Sequence, residues 1–379
     1  MDQFVADRAA EIASRAQREL EALVAVSSPS GDIEGAEEAI ALCAAFLPPE
    51  AAVQRAECST PNSAPDLIAR LRGRGSGRVL LLGHVDTVIG HESHAPLRHE
   101  GEKLYGPGTV DMKGGVVLAL GVARALATRP ESFDEVAVLL VTDEEWRIKP
   151  FRHVERFASY EACLCFEGGQ LAGEGEEGVV VQRKAAGTMR VAATGRAAHS
   201  GSAPDQGRNA LLALAATAIE VSRHHNPSGA ERLSVVPTVV RSGDAFNVVP
   251  ADGELLFDMR ADRSESFDAV CGAVPGELDG VRLEAKLQRV WPGMDSREAT
   301  RELLERASAR LGRPIVGVSR GGASDASHFA PSIPLTVDGL GPRGGAAHNP
   351  GEFVLAPSLR ERAEVALALA AEALAVGDS

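Results

Sequence analysis

The chain has 379 residues, 39 Lys+Arg against 53 Asp+Glu for a formal net charge of −14, with 44% hydrophobic and 24% charged residues. This length suggests two domains, each able to bury its own core, and the ordinary composition excludes wholesale disorder. The acidic balance lacks the basic footprint that nucleic acid requires, and no apolar run approaches the roughly 20 residues of a bilayer span.

Residues 2–26 have helical periodicity and mixed charge. They read as a helix and not as a secretory signal, which would show a basic start and an apolar core. Ser27-Ser28-Pro29-Ser30-Gly31 breaks the pattern. Apolar runs at Val79–Gly83, Val136–Val141 and Ala162–Phe166 read as strands, with Gly114–Ala127 as a buried helix. From about residue 183 the rhythm changes. Thr188–Thr194 reads as a strand, Asn209–Arg223 as a helix, Ser234–Val240 and Glu254–Arg260 as strands, Glu265–Val274 as a short helix and Val281–Val290 as a strand. That β-α-β-β-α-β order is ferredoxin-like. After Pro292 the α/β alternation resumes, with strands at Pro314–Val318 and Ile333–Val337 and an Ala-rich surface helix over Leu359–Val376. The expected organisation is an α/β domain of residues 1–182 and 291–379, interrupted by a small domain of residues 183–290. Five cysteines without Cys-x-x-Cys spacing favour a reducing cytoplasm over a disulfide framework or a cysteine zinc site.

The candidate chemistry lies at the ends of the strands. His84 and Asp86 stand two apart beyond an apolar run, so they face the same way and Asp86 is placed to orient the imidazole. Asp111 follows Gly106-Pro107-Gly108, glycine-rich backbone that allows close approach of neighbours, in a segment that matches no phosphate-binding motif. Thr142-Asp143-Glu144-Glu145 follows Val136–Val141, and Glu167 follows the next run. Such acids repel one another unless a cation or solvent compensates, and they converge on one edge of an open α/β sheet. His348 arrives late, in a glycine-rich loop. Two histidines and three carboxylates suit a pair of zinc ions with mixed N/O ligands, and cobalt or manganese would also be accepted.

The ordered series GHVDTV, YGPGTVDMKGG, TDEE, FEGG, GRAAHSGSAP and AAHNPGEFV resembles the di-zinc aminoacylase/carboxypeptidase family, which includes glutamate carboxypeptidase, succinyl-diaminopimelate desuccinylase and acetylornithine deacetylase. The resemblance implies a zinc-exopeptidase-like α/β/α catalytic domain with an inserted ferredoxin-like α+β lid/dimerisation domain, and hence a homodimer. It implies Asp111 as the carboxylate shared by two zinc ions, His84 and Glu167 completing one site and Glu145 and His348 the other. Glu144 would be the general base, and the Asp111–Met112 peptide would be cis. His199 would stabilise the oxyanion in the partner's active site, and Asn247 and Arg260 would hold the substrate's carboxylate; an ion pair of Arg260 with Asp258 or Asp262 is the alternative. The implied reaction is cleavage of an amide bond next to a free carboxylate in a small peptide or N-acyl amino acid. A desuccinylase or deacetylase is the second reading, and a catalytically silent binding protein the third.

Other residues carry less. His91, His94 and His99 read as a surface loop, and His224-His225 as a solvated pair closing a helix. Ser324 and Asp325 would line the pocket at best, near His328, while Arg183, Lys184 and Arg289 read as solvated basic residues. Trp146–His153 departs from the family's small residues at that place, and would reshape the pocket or add a positive wall beside the metal site.

Overall fold

Uninterrupted apolar runs make strands buried on both faces, as a parallel sheet with covered faces requires. In the computed structural model, which describes residues 1–375, Glu135–Val141 is buried at every position and Arg78–His84 at all but its first. The chain divides into two units, one of Met1–Gln182, Asp295–Ser319 and the residues from Ser324 onward, the other of Arg183–Met294 with Arg320–Ala323.

The first unit is built on a six-stranded sheet in the order Ala52–Ala56, Asp66–Arg72, Glu135–Val141, Arg78–His84, Ala162–Cys165, Leu335–Val337. The last four run parallel, and the first two are antiparallel additions at one edge. Helices Gln3–Ala25, Gly114–Ala127 and Ala356–Ala375 pack on one another, and the last two also reach strand Arg78–His84. Leu20, Leu81, Val117, Leu164 and Leu367 lie in this core. Ala326–Phe329 packs on strands Ala162–Cys165 and Leu335–Val337, where Phe329 meets Phe151 and Phe157 edge-on.

The C-terminal helix corrects the sequence expectation. Ala356–Ala375 is not a surface element, because Leu359, Ala363 and the whole run Val365–Ala370 are buried. Its alanines allow close approach to neighbouring helices rather than marking a solvated face. Val376 lies outside the described residues.

The second unit is an antiparallel sheet in the order Ser234–Ser242, Asp252–Ala261, Ala185–Thr194, Val281–Trp291, Glu277–Leu278. The first four give the ferredoxin-like arrangement, with helices Ala210–Ser222 and Ser266–Gly272 as its connections. Asn209 caps the longer helix by accepting from the Leu212 N–H. Met189, Val191, Leu214, Phe257 and Phe267 form this unit's own core.

Candidate metal centre

Strands Arg78–His84, Glu135–Val141 and Ala162–Cys165 run in one direction, with His84 opposite Val141 and Leu82 opposite Cys165. Their carboxyl ends deliver His84, the Glu144-Glu145 turn and Glu167 to one sheet edge, where open α/β sheets bind ligands. Asp111 comes from the turn Thr109–Lys113, ahead of helix Gly114–Ala127, and His348 from the loop before strand Phe353–Leu355. Two glycines make the approach possible. Gly108 has φ +75°, which favours glycine, and a Cβ on Gly115 would lie 1.8 Å from the Phe166 carbonyl oxygen. The Asp111–Met112 peptide is cis.

Asp111 stands between the two histidines. Its Oδ1 lies 3.2 Å from His84 Nε2 and its Oδ2 3.1 Å from His348 Nε2. Glu167 Oε1 lies 3.7 Å from His84 Nε2, and Glu145 Oε1 3.0 Å from His348 Nε2. Bonds of 2.0–2.1 Å in a tetrahedral zinc site put donor atoms about 3.3 Å apart, so these separations suit donors around two ions that share Asp111. His84, Asp111 and Glu167 form one cluster, and Asp111, Glu145 and His348 another.

The donor chemistry gives the same answer. His84 Nδ1 lies 3.0 Å from the Asp86 carbonyl oxygen, which fixes its proton there and leaves the Nε2 lone pair facing Asp111 and Glu167. Lone pairs facing carboxylate oxygens need a cation between them. In the protein without metal that cation is a proton: burial opposes charge on His84, but Asp111, Asp86 and Glu167 push its pKa well above 6.5. Hydrogen bonds to Asp111 and Glu145 raise His348 to about 10. Burial acts to raise the Asp111 pKa, yet the two histidines hold it well below the ordinary range. The site demands positive charge, and the residues present fit two divalent ions.

Asp86 meets the His84 imidazole and also holds the acidic turn. The nearer atom to the His84 imidazole is its backbone oxygen, with the carboxylate Oδ1 at 3.4 Å. The carboxylate also accepts from the Glu144 N–H at 3.1 Å and the Glu145 N–H at 3.0 Å, and so holds the turn that carries both acids. Glu144 is buried, and desolvation pushes its pKa up to about 8, against the lowering effect of His84. Asp143 does not share the site: it turns inward to Arg147 and accepts from the backbone and hydroxyl of Thr60.

The segment after Glu145 divides: Arg147 and His153 are buried, whereas Lys149 and Arg152 are exposed. Arg147 pairs with Asp143 and Asp325 and lies over the Phe151 ring, and His153 Nε2 meets Asp66 at 2.8 Å. Asp325 is buried and pairs with Arg147, and the buried Ser324 donates to Asp338. Arg183 is also buried, donating to the Gly322 carbonyl oxygen, while Lys184 donates to that of Arg232 and Arg289 lies over Trp291. His91 and His99 are exposed and His94 half-buried, and among the described residues they join no metal-binding cluster. His224 and His225 are exposed beyond the helix end. His328 lies against Phe151 with the two rings tilted.

In the second unit, His199 is exposed, and its Nδ1 accepts from the Gly201 and Ser202 N–H groups at 3.1 and 3.2 Å. Its proton therefore sits on Nε2, ready to donate. Asn247 is exposed, and its carbonyl oxygen accepts from the Ser200 N–H. Arg260 makes two bonds to Asp258, the ion pair foreseen as its alternative. Sequence reasoning passed over Arg147, Lys113 and Glu352 as buried charges. Lys113 donates to the Val26 carbonyl oxygen at 2.7 Å, and burial lowers its pKa to about 8. Only its place in the DMKGG motif could have singled it out.

Residues 80–372 match peptidase family M20/M25/M40, and the chain belongs to that family. It is a metallopeptidase of amidohydrolase chemistry. Carboxypeptidase G2 of Pseudomonas sp. (strain RS-16) is 30% identical over 349 residues, 87% of this chain and 82% of the relative. Succinyl-diaminopimelate desuccinylase of Stenotrophomonas maltophilia is 28% identical over 306 residues, 74% of this chain and 80% of that protein. The M20 family metallo-carboxypeptidase Sso-CP2 of Sulfolobus solfataricus shares the fold, with a TM-score of 0.73 at 14% identity, over 95% of this chain and 99% of the other.

Proposed function

We propose that this metallo-exopeptidase binds two zinc ions per chain and acts as a carboxypeptidase, cleaving an amide bond beside a free carboxylate in a small peptide or N-acyl amino acid. The observation that carries the reading is Asp111, with one oxygen toward His84 and the other toward His348. His84, Asp111 and Glu167 would hold one ion, and Asp111, Glu145 and His348 the other. When bound, zinc supplies a Lewis acid that polarises the scissile carbonyl and makes water more acidic. Glu144 takes the proton of the attacking water and returns it to the leaving amine, a task suited to a carboxyl whose burial raises its proton affinity to about 8. Asp86 keeps Glu144 and Glu145 in register through their backbone N–H groups.

His199 donates from Nε2 to the oxyanion, and Asn247 and Arg260 hold the substrate's carboxylate, for which the planar guanidinium is suited. Substrate then shares Arg260 with Asp258 or displaces it. The second unit exposes Leu212 and Ile219 on its helix and Val240 on its edge strand, at 65%, 67% and 54% exposure. These exposed apolar side chains support a homodimer with each lid serving its partner. Five free cysteines support a cytoplasmic protein, and no helix among the described residues is long and apolar enough to cross a membrane.

Glu144→Gln tests the mechanism: turnover falls by about 100–10,000-fold while both metal equivalents remain bound, the usual cost of losing a general base. A variant with near-normal turnover removes Glu144 from this role. The desuccinylase relative supports a second reading, an N-acyl amino acid deacylase. Relative kcat/KM on N-succinyl or N-acetyl amino acids and on dipeptides decides between the two. The complete ligand set and Glu144 speak against a silent binding protein.

A further inference from the structure

We propose that Glu352 is a positioning residue that ties the Asp111 turn to the His348 loop, so that metal affinity at the Asp111–Glu145–His348 position depends on it. The proposal rests on the two-metal reading above. Glu352 is 2% exposed, and its carboxylate is spent on backbone. Its Oε1 accepts from the Val110 N–H at 2.7 Å and from the Asp111 N–H at 2.9 Å, and its Oε2 from the Gly108 N–H at 3.0 Å. Its own main chain is tied on both sides: the Glu352 carbonyl oxygen accepts from the Gly106 N–H at 3.0 Å, and the Glu352 N–H donates to the Asn349 carbonyl oxygen at 2.9 Å. One residue thus grips the turn that presents Asp111 and closes the short loop that presents His348.

Three converging N–H donors call for a group that only accepts, and an ionised carboxylate does so. A carboxamide keeps one oxygen and turns an NH2 toward the remaining donor, which sets N–H against N–H. The two metal positions respond unequally. His84 lies on a central strand with its side chain 1% exposed, whereas the His348 side chain is 51% exposed and reaches its place from a loop. A turn displaced at Asp111 is therefore tolerated at the His84 position and not at the His348 position.

The test is cobalt(II) titration of metal-free wild type, Glu352→Gln and Glu352→Asp, followed by visible absorption and calorimetry, with His348→Ala as the benchmark. Wild type takes two equivalents. Glu352→Gln keeps the first within about threefold and weakens the second by about 10–100-fold, the usual cost of losing a group that orients a ligand. Glu352→Asp, which keeps an acceptor-only group and guards against a Gln variant that fails to fold, recovers part of the second affinity. The inference is overturned if a folded Glu352→Gln binds both equivalents as wild type does, or loses both equally, as general support of the fold would produce. A wild type that binds two equivalents in that case leaves the two-metal reading intact, and a wild type that takes up no cobalt overturns both.

Discussion

Replacing Arg147 with methionine removes the cation from the buried cluster behind the Glu144-Glu145 turn while keeping most of the side chain's apolar volume. Arg147 has no exposed surface and pairs with Asp143 at 2.7 Å and with Asp325. Removing one partner of a buried pair costs about 3–5 kcal/mol, because the remaining charge stays buried without compensation. Asp143 retains the Thr60 backbone and hydroxyl donors at 2.9 and 2.7 Å, so most of the cost falls on Asp325. Loss of the guanidinium over Phe151, 4.4 Å from the ring centre, adds about 1 kcal/mol. The expected loss is about 4–6 kcal/mol, a large share of the 5–15 kcal/mol that holds an ordinary domain together. Urea unfolding of the metal-free protein measures it. Adding Asp325→Asn to Arg147→Met should recover about 2 kcal/mol, since it removes the stranded charge. A loss under about 1 kcal/mol, or no recovery in the double variant, would refute a buried ionic strut at this place.

Three further outcomes follow from the titrating groups. His348, raised to about 10 without metal, is protonated at pH 7 and must release its proton to become a ligand. Zinc titrations in buffers of different ionisation enthalpy should therefore report net proton release, and a buffer-independent heat would contradict the assignment. Cys43 is buried, and desolvation pushes its thiol from 9.0 to about 12. Because the folded pKa is the higher one, its contribution is complete below pH 9 and declines as pH rises towards 12. Wild type should lose about 1.4 kcal/mol per pH unit in that window relative to Cys43→Ala, and parallel stability curves would refute it. Of the five cysteines Cys271 alone is half-buried, so a thiol reagent should label one site quickly in the native protein and five after unfolding; fast labelling of several would contradict the buried core.

His84, Glu144, Glu145 and Glu167 were legible because each stands at the end of an apolar strand whose direction dictates where that end must lie, whereas Asp111 and His348 sit in glycine-rich turns and were marked by their motifs. The helix Gly114–Ala127 was read to the residue, since glycines precede it and apolar residues fill it. Other parts were hidden by distance along the chain. Glu352 bonds Gly108 across 244 positions and Arg147 meets Asp325 across 178, and no local pattern marks such partners. The burial of Arg147 and His153 within the run Trp146–His153 was hidden because two of their counter-charges, Asp325 and Asp66, come from distant segments. Strand Glu177–Arg183 escaped notice for the same reason: its charged ends look exposed, yet Glu177 is buried against Arg313, Arg343 and Arg362. The Ala-rich C-terminal helix was misjudged because alanine suits a tight helix interface as well as a surface.

The central claim is a pair of metal ions that share Asp111. Elemental mass spectrometry of the zinc-reconstituted chain, compared with Asp111→Ala, tests it most directly. The account predicts close to two zinc per wild-type chain and loss of both in a folded variant. Less than one zinc per wild-type chain, or two retained without the Asp111 carboxylate, would contradict it.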